Sequence, residues 1–165
     1  EIKLVSEEVS CSMATTTLVL LGRTGNGKSS TGNSLLGYNA FTAHFSASSV
    51  TKECKLQRTT FKDGRILNVV DTPDLFDTNL SKETLAEEII KCIDLAKEGV
   101  HGILLVLSVR TRFTPEEGLV VKELQRLFGP TVVNYMVVVF TGGDEWINTD
   151  MTLEDYLNQS PPKLK

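Results

Sequence analysis

Between positions 22 and 29 the chain reads Gly22-Arg23-Thr24-Gly25-Asn26-Gly27-Lys28-Ser29, a GxxxxGK[ST] run without defect. Residues of these types at this spacing suit the holding of a polyphosphate. The glycines leave backbone N–H groups free to wrap phosphate oxygens, and a helix start adds a favourable dipole. Lys28 would reach the outer phosphates, Ser29 would ligate Mg2+, and Ser30 would complete the binding set. A glycine-rich turn that matches by chance is the bland alternative. It loses because a strand-like segment precedes the run and a helix-like one follows, as the motif requires.

Three weaker signals gain meaning behind such a loop. Asp71-Thr72-Pro73-Asp74 follows an apolar run. Alone it reads as a turn, but Asp71 can hold Mg2+ through water in the manner of a Walker-B acid. Thr51 lies between the first helix and a predicted hairpin, where a threonine can bind Mg2+ in a triphosphate state; it also reads as an ordinary strand residue. Thr141-Gly142-Gly143-Asp144 follows the last apolar run. GTPases carry an Asn/Thr-Lys-x-Asp element at this point, whose acid pairs with the donor edge of guanine. Thr141 and Asp144 match it, and Gly142 replaces the lysine whose stem packs on the base. The competing reading is a plain glycine turn. His101 reads as a structural histidine, His44 as a loop residue that stacks on the base or does nothing, and Trp146 as a packing residue.

The elements that must position these residues follow from periodicity. A buried strand is predicted over 15–21 and a helix over 29–36, stopped by Gly37. Strand-like runs over 50–61 and 65–70 flank Lys62-Asp63-Gly64, a hairpin signal. Ser81 can cap an amphipathic helix over 82–97, in which Leu85, Ile89 and Ile93 recur every four residues. Residues 102–109 and 132–140 are continuous apolar runs, as in strands buried on both faces. Between them Thr114-Pro115-Glu116-Glu117 opens a helix that stops at Gly129-Pro130. A last helix begins near Thr152. The alternation predicts an α/β fold of the P-loop NTPase kind, a three-layer sandwich. Its sheet is mostly parallel with one antiparallel edge hairpin, and its ligand lies at the carboxyl ends of the strands.

Composition bounds the function. The chain has 165 residues, enough for one domain, and 41% of them are hydrophobic. We read residues 1–14 as a flexible leader and 15–165 as the domain. A net charge of −4 argues against nucleic acid as a partner. Cys11, Cys54 and Cys92 show no CxxC pairing, so neither a zinc site nor a disulfide framework is expected, and a reduced, intracellular and cytosolic setting fits best. No secretory signal and no membrane segment is read in this chain.

Together these residues resemble the AIG-type GTPases, the immune-associated nucleotide-binding (IAN/IMAP) family, with the Toc GTPases and septins as relatives. LVLLGRTGNGKSSTGNSLLG at 18–37 is close to the family opening, and SSVTKEC at 48–54 to its first switch. DTPDLFD at 71–77 is similar to the usual DTPGLFD, HGILLVLSVRTRFTPEE at 101–117 to a characteristic box, and FTGGDE at 140–145 to the guanine element of plant members. The match covers roughly 16–160. It implies a GTP/GDP-binding domain with Mg2+ and slow hydrolysis, assisted by a homodimer or a heterodimer with related GTPases across the nucleotide face. It also implies a plant protein with a role in defence or stress responses. Peripheral association with the endoplasmic reticulum or other internal membranes is implied through segments outside this domain.

The chain departs from the family in two places and, like the family itself, from many small GTPases in a third. Asp74 stands where glycine is usual, so weaker discrimination between GTP and GDP is expected unless its side chain turns away. Leu75 occupies the place of a water-positioning glutamine, so turnover by the isolated chain should be slow. Catalysis could then come from a partner's arginine; Arg112 is the preferred finger over Arg110, and it reads equally as a solvated arginine before a helix cap. The family continues past this point with a further strand, which is read as missing here. The run 132–140 would then form an exposed apolar edge. Two other readings stay open: a catalytically silent nucleotide-holding or interaction module, and an ATP-binding domain in which TGGD is only a turn.

Overall fold

The structure is a computed structural model that describes residues 14–42, 53–76, 80–111, 115–146 and 151–159. Five strands form one sheet in the order β2-β3-β1-β4-β5. They are β1 (Thr15–Leu21), β2 (Lys55–Thr60), β3 (Ile66–Asp71), β4 (Gly102–Ser108) and β5 (Met136–Thr141). β1 runs parallel to both β3 and β4, and β4 parallel to β5. β2 alone is antiparallel, paired to β3 through the Asp63-Gly64 turn, as the hairpin signal predicts. The predicted α/β sandwich is therefore observed.

The period of two in the central strands sorts their side chains into two cores. Val19, Leu21, Ile103, Leu105 and Leu107 face helices α2 (Lys82–Asp94) and α3 (Pro115–Phe128), meeting Ile89, Cys92, Val120 and Leu124. Leu18, Leu20, Val69 and Leu104 face the other way, onto Leu36 of α1 (Lys28–Leu36) and Phe41. β4 is buried along its whole length, which explains why its sequence does not alternate. Ser81 caps α2 by accepting the Thr84 N–H at 3.1 Å. The short helix α4 (Leu153–Gln159) brings Tyr156 edge-on to Phe140 and against Trp146, so Trp146 is a packing residue.

Three expectations are corrected. The run 132–140 is not one strand: Pro130–Tyr135 forms a 3-10 turn, and only Met136–Thr141 is extended. Gly129 and Pro130 set that turn, and it carries Val132 into the core beneath α3. β5 is the edge of the described sheet, with Val137 and Val138 exposed. α2 ends at Asp94 rather than position 97. Cys54 and Cys92, read as unpaired, are joined as a disulfide between the start of β2 and α2, with a Cα–Cα distance of 5.4 Å.

Candidate functional site

The loop that follows β1 is fastened on two sides. Gly22 lies so close to β4 that an added Cβ would collide with the Val106 carbonyl oxygen. Asn26 donates its side-chain Nδ2–H to that same carbonyl at 3.1 Å, and its own carbonyl accepts the Thr141 hydroxyl at 2.7 Å. Gly27 then turns the chain into α1 with φ +89°, a left-handed conformation that glycine adopts without strain. Thr31 closes the first helical bond by donating its N–H to the Gly27 carbonyl at 2.8 Å. The loop amides thus gather at the start of a helix, the arrangement that receives phosphate oxygens.

Lys28 is buried at 7% exposure in the first turn of α1. Its ammonium donates to the carbonyls of Gly22 at 2.6 Å and Arg23 at 3.2 Å. Burial pushes its pKa down, opposed by the charges of Asp71 and Asp74. One residue on, Ser29 Oγ donates to Asp71 Oδ2 at 2.7 Å. Ser30 is exposed on the same turn.

Asp71 ends β3 and is buried. Thr72 fixes the turn after it by donating its hydroxyl to the Leu20 carbonyl at 2.7 Å, which locks the loop after β3 onto β1. Ser29 and Asp71 are hard oxygen donors within one hydrogen bond of each other. Such a pair fits an ion that keeps most of its ligands from water and phosphate, the habit of Mg2+. The narrow cradle at Gly22 and Gly27 fits a polyphosphate in the same way. Asp74 is turned toward the loop. Its Oδ2 accepts the Thr24 N–H at 2.9 Å, and its Oδ1 accepts the Phe76 N–H at 2.9 Å. Burial alone would raise this carboxyl. The amides of Thr24 and Phe76, the Thr24 hydroxyl and the Lys28 charge together outweigh burial and hold it below its ordinary value. Leu75 is buried in the core at 2% exposure.

At the far side of the loop, Thr141 ends β5 and Asp144 follows in the next turn, exposed. Arg110, two residues beyond β4, donates from Nη2 to Asp144 Oδ2 at 3.1 Å. Its stem lies across Gly142, where an added Cβ would sit 3.1 Å from Arg110 Nε.

The structure therefore gathers Gly22, Arg23, Thr24, Gly25, Asn26, Gly27, Lys28, Ser29, Ser30, Asp71, Thr141 and Asp144 around the carboxyl ends of β1, β3 and β5. Thr51, Arg112 and His44 lie outside the described residues. His101 is structural: its Nδ1 accepts the Thr17 N–H at 3.0 Å, extending the pairing of β1 with β4. Sequence reasoning missed the anchoring roles of the Asn26 side chain and of Thr72. It also missed Asn33, whose side chain holds Ala40 and Phe41 after α1. Only the polar type of these residues beside an apolar strand gave any signal.

The AIG1 family model matches residues 16–165. The chain belongs to the AIG1 family. It is 52% identical over 145 residues to immune-associated nucleotide-binding protein 8 of Arabidopsis thaliana, covering 88% of this chain and 41% of that protein. It spans less than half the length of the plant relatives it matches at 48–52% identity, at 37% to 47% of each. Among solved structures it is similar to Toc33 from Arabidopsis thaliana in complex with GDP and Mg2+, with a TM-score of 0.69 at 23% identity over 87% of this chain and 57% of that one. A structure bearing on why dimerization matters for the GTPase activity of the chloroplast translocon components atToc33 and psToc159 superposes with a TM-score of 0.68 at 24% identity, over 87% of this chain and 57% of that one. At these identities the likeness shows the fold shared by this AIG1 chain. Among the described residues no helix is long and apolar enough to cross a membrane.

Proposed function

We propose that this chain is a guanine-nucleotide-binding switch domain with slow GTP hydrolysis assisted by dimerisation. The observation that carries the reading is the phosphate cradle itself: a glycine loop fastened to β4 and β5, with buried Lys28 inside it and Ser29 2.7 Å from Asp71. In this reading the loop amides and Lys28 neutralise the phosphates and the charge that develops on them during transfer. Ser29, Thr51 and Asp71 would hold Mg2+, which would supply positive charge against the phosphates. Thr141 positions the loop while Asp144 accepts from the guanine edge. The nucleotide-binding relatives and the Toc33 neighbour with GDP and Mg2+ support the ligand by analogy.

Leu75 is buried and apolar, so it cannot orient a water, and the chain needs a positive charge from outside. Arg112 of a second copy or of a related GTPase is our candidate, and the dimerization reported for atToc33 and psToc159 supports this arrangement. A catalytically silent module is the second reading, favoured by Asp74 lying against the phosphate loop. Nucleotide released from the purified protein by denaturation and identified by mass spectrometry tests the ligand. GTP or GDP is expected, ATP would move the reading to the adenine class, and Lys28→Ala should emerge empty. Single-turnover GTPase assays at rising protein concentration test the chemistry. A rate that climbs with concentration and is lost in Arg112→Ala fits dimer assistance, and a flat zero fits the silent module.

A further inference from the structure

The loop between β1 and α1 meets other parts of the protein at two opposite points. On one side Asn26 is bonded to Thr141 of β5. On the other Thr24 is bonded to Asp74, beyond β3. β3 and β5 lie on opposite sides of β1 in the sheet order, so these contacts mark the two ends of the cradle. The end near β5 adjoins Asp144, and the end near β3 adjoins the Ser29–Asp71 pair. A nucleotide whose base meets Asp144 must therefore point its last phosphate toward Asp74.

A carboxylate is itself an oxyanion, and its 2.9 Å bond to the Thr24 N–H has the length of a charge-assisted hydrogen bond. We propose that the Asp74 carboxylate is a resident anion that occupies the outer-phosphate end of the loop and so favours a nucleoside diphosphate over a triphosphate. The inference rests on the guanine-nucleotide reading above. A diphosphate fills the inner part of the cradle and leaves Asp74 on Thr24. A triphosphate brings further negative charge to an amide already taken, and it must expel the carboxylate or bind beside it. The second bond, from Phe76 N–H to Asp74 Oδ1, holds the side chain in this orientation and resists its expulsion. Lys28 already lies within electrostatic reach of Asp74, so part of its charge is offset before any nucleotide arrives.

Calorimetric titration of nucleotide-free protein with GDP and with a non-hydrolysable GTP analogue, both with Mg2+, tests this in the parent, Asp74→Asn and Asp74→Gly. The asparagine removes the charge and keeps one acceptor oxygen, so only one of the two amides retains its partner; the glycine removes the side chain. Both variants should bind the analogue about tenfold more tightly, as expected for removal of a competing charged hydrogen bond, with GDP affinity nearly unchanged. An analogue-to-GDP ratio that stays within about twofold of the parent's, with both ligands binding, overturns the resident anion and leaves the nucleotide reading intact. Failure of the parent and both variants to bind either guanine nucleotide removes that reading and this inference with it. Independently, the Thr24 amide resonance of the free protein should move in Asp74→Gly, and a resonance that does not move refutes the contact itself.

Discussion

Gly22→Ala probes the seating of the phosphate loop directly. The new Cβ would fall inside the contact radius of the Val106 carbonyl oxygen and 3.3 Å from the carbonyl carbon and the Cβ of that residue. The obstacle is backbone in a fully buried strand, so no side chain can swing aside to relieve it. Moving the loop away also stretches the Asn26 Nδ2 bond to the same carbonyl, now 3.1 Å. Overpacking of this kind costs about 1–3 kcal/mol, and the weakened hydrogen bond adds about 1. In a domain of this size each kcal/mol lowers the melting temperature by about 2–4 °C, so the variant should melt about 4–16 °C below the parent. Displaced amides should also weaken GDP binding about tenfold or more, the worth of one charge-assisted hydrogen bond. Thermal unfolding by circular dichroism and calorimetric titration below the transition read both effects. Gly25→Ala is the control: no atom lies within 4 Å of its added Cβ, so only the left-handed backbone at φ +84° is strained, at about 1–2 kcal/mol. If Gly22→Ala melts with the parent and binds GDP as well, the close approach to β4 does not shape the loop.

Ser29→Ala removes one of the three oxygen donors proposed for Mg2+, so chelation by EDTA should weaken GDP binding markedly in the parent and much less in the variant; equal sensitivity would sink the assignment. Non-reducing peptide mapping should recover the Cys54 and Cys92 peptides linked, whereas complete alkylation of both under oxidising conditions contradicts the pairing. The Asp74 carboxyl is held below its ordinary 3.8, so its contribution to stability is fully present above that pH and is lost as pH falls through the lower folded value. Asp74→Asn should therefore lose less stability between about pH 4 and 2 than the parent, and identical acid-unfolding slopes would disprove the linkage.

The parts legible in the sequence are those fixed locally. The glycine spacing before Lys28 and Ser29 is a local pattern that reads without tertiary knowledge, although contacts with β4 and β5 then seat the loop. Asp63-Gly64 at the hairpin and Ser81 at the start of α2 are local patterns of the same kind. What escaped the sequence depends on partners distant along the chain. A short apolar run reads alike as strand or as buried turn, so Pro130–Tyr135 was absorbed into β5 although Val132 serves the core beneath α3. The disulfide joins residues 38 apart, and the Arg110–Asp144 pair joins residues 34 apart. The side-chain direction of Asp74 is set by an amide 50 positions away, which no spacing rule could reach.

The groups that would receive a nucleotide are partnered with each other. Lys28 rests on the Gly22 and Arg23 carbonyls, Ser29 on Asp71, the Thr24 N–H on Asp74, and Asp144 on Arg110. Each internal bond keeps a polar or charged group satisfied, which avoids the cost of burying it unpaired. Binding is then an exchange of hydrogen bonds, and its net free energy depends on which internal bonds must break. The Arg110–Asp144 pair is exposed on both sides, with 45% and 67% of the two side chains accessible, and solvent screening makes it cheap to open. The contacts of Lys28 and the Phe76–Asp74 bond are buried or part-buried and are worth more, whereas the Thr24–Asp74 bond is itself exposed. The base end of the cradle would therefore open at little cost, while at the other end the Lys28 contacts and the Phe76–Asp74 bond would resist. On the proposed reading, selectivity for the number of phosphates would reside at the β3 side of the loop, and the base would be read beside β5.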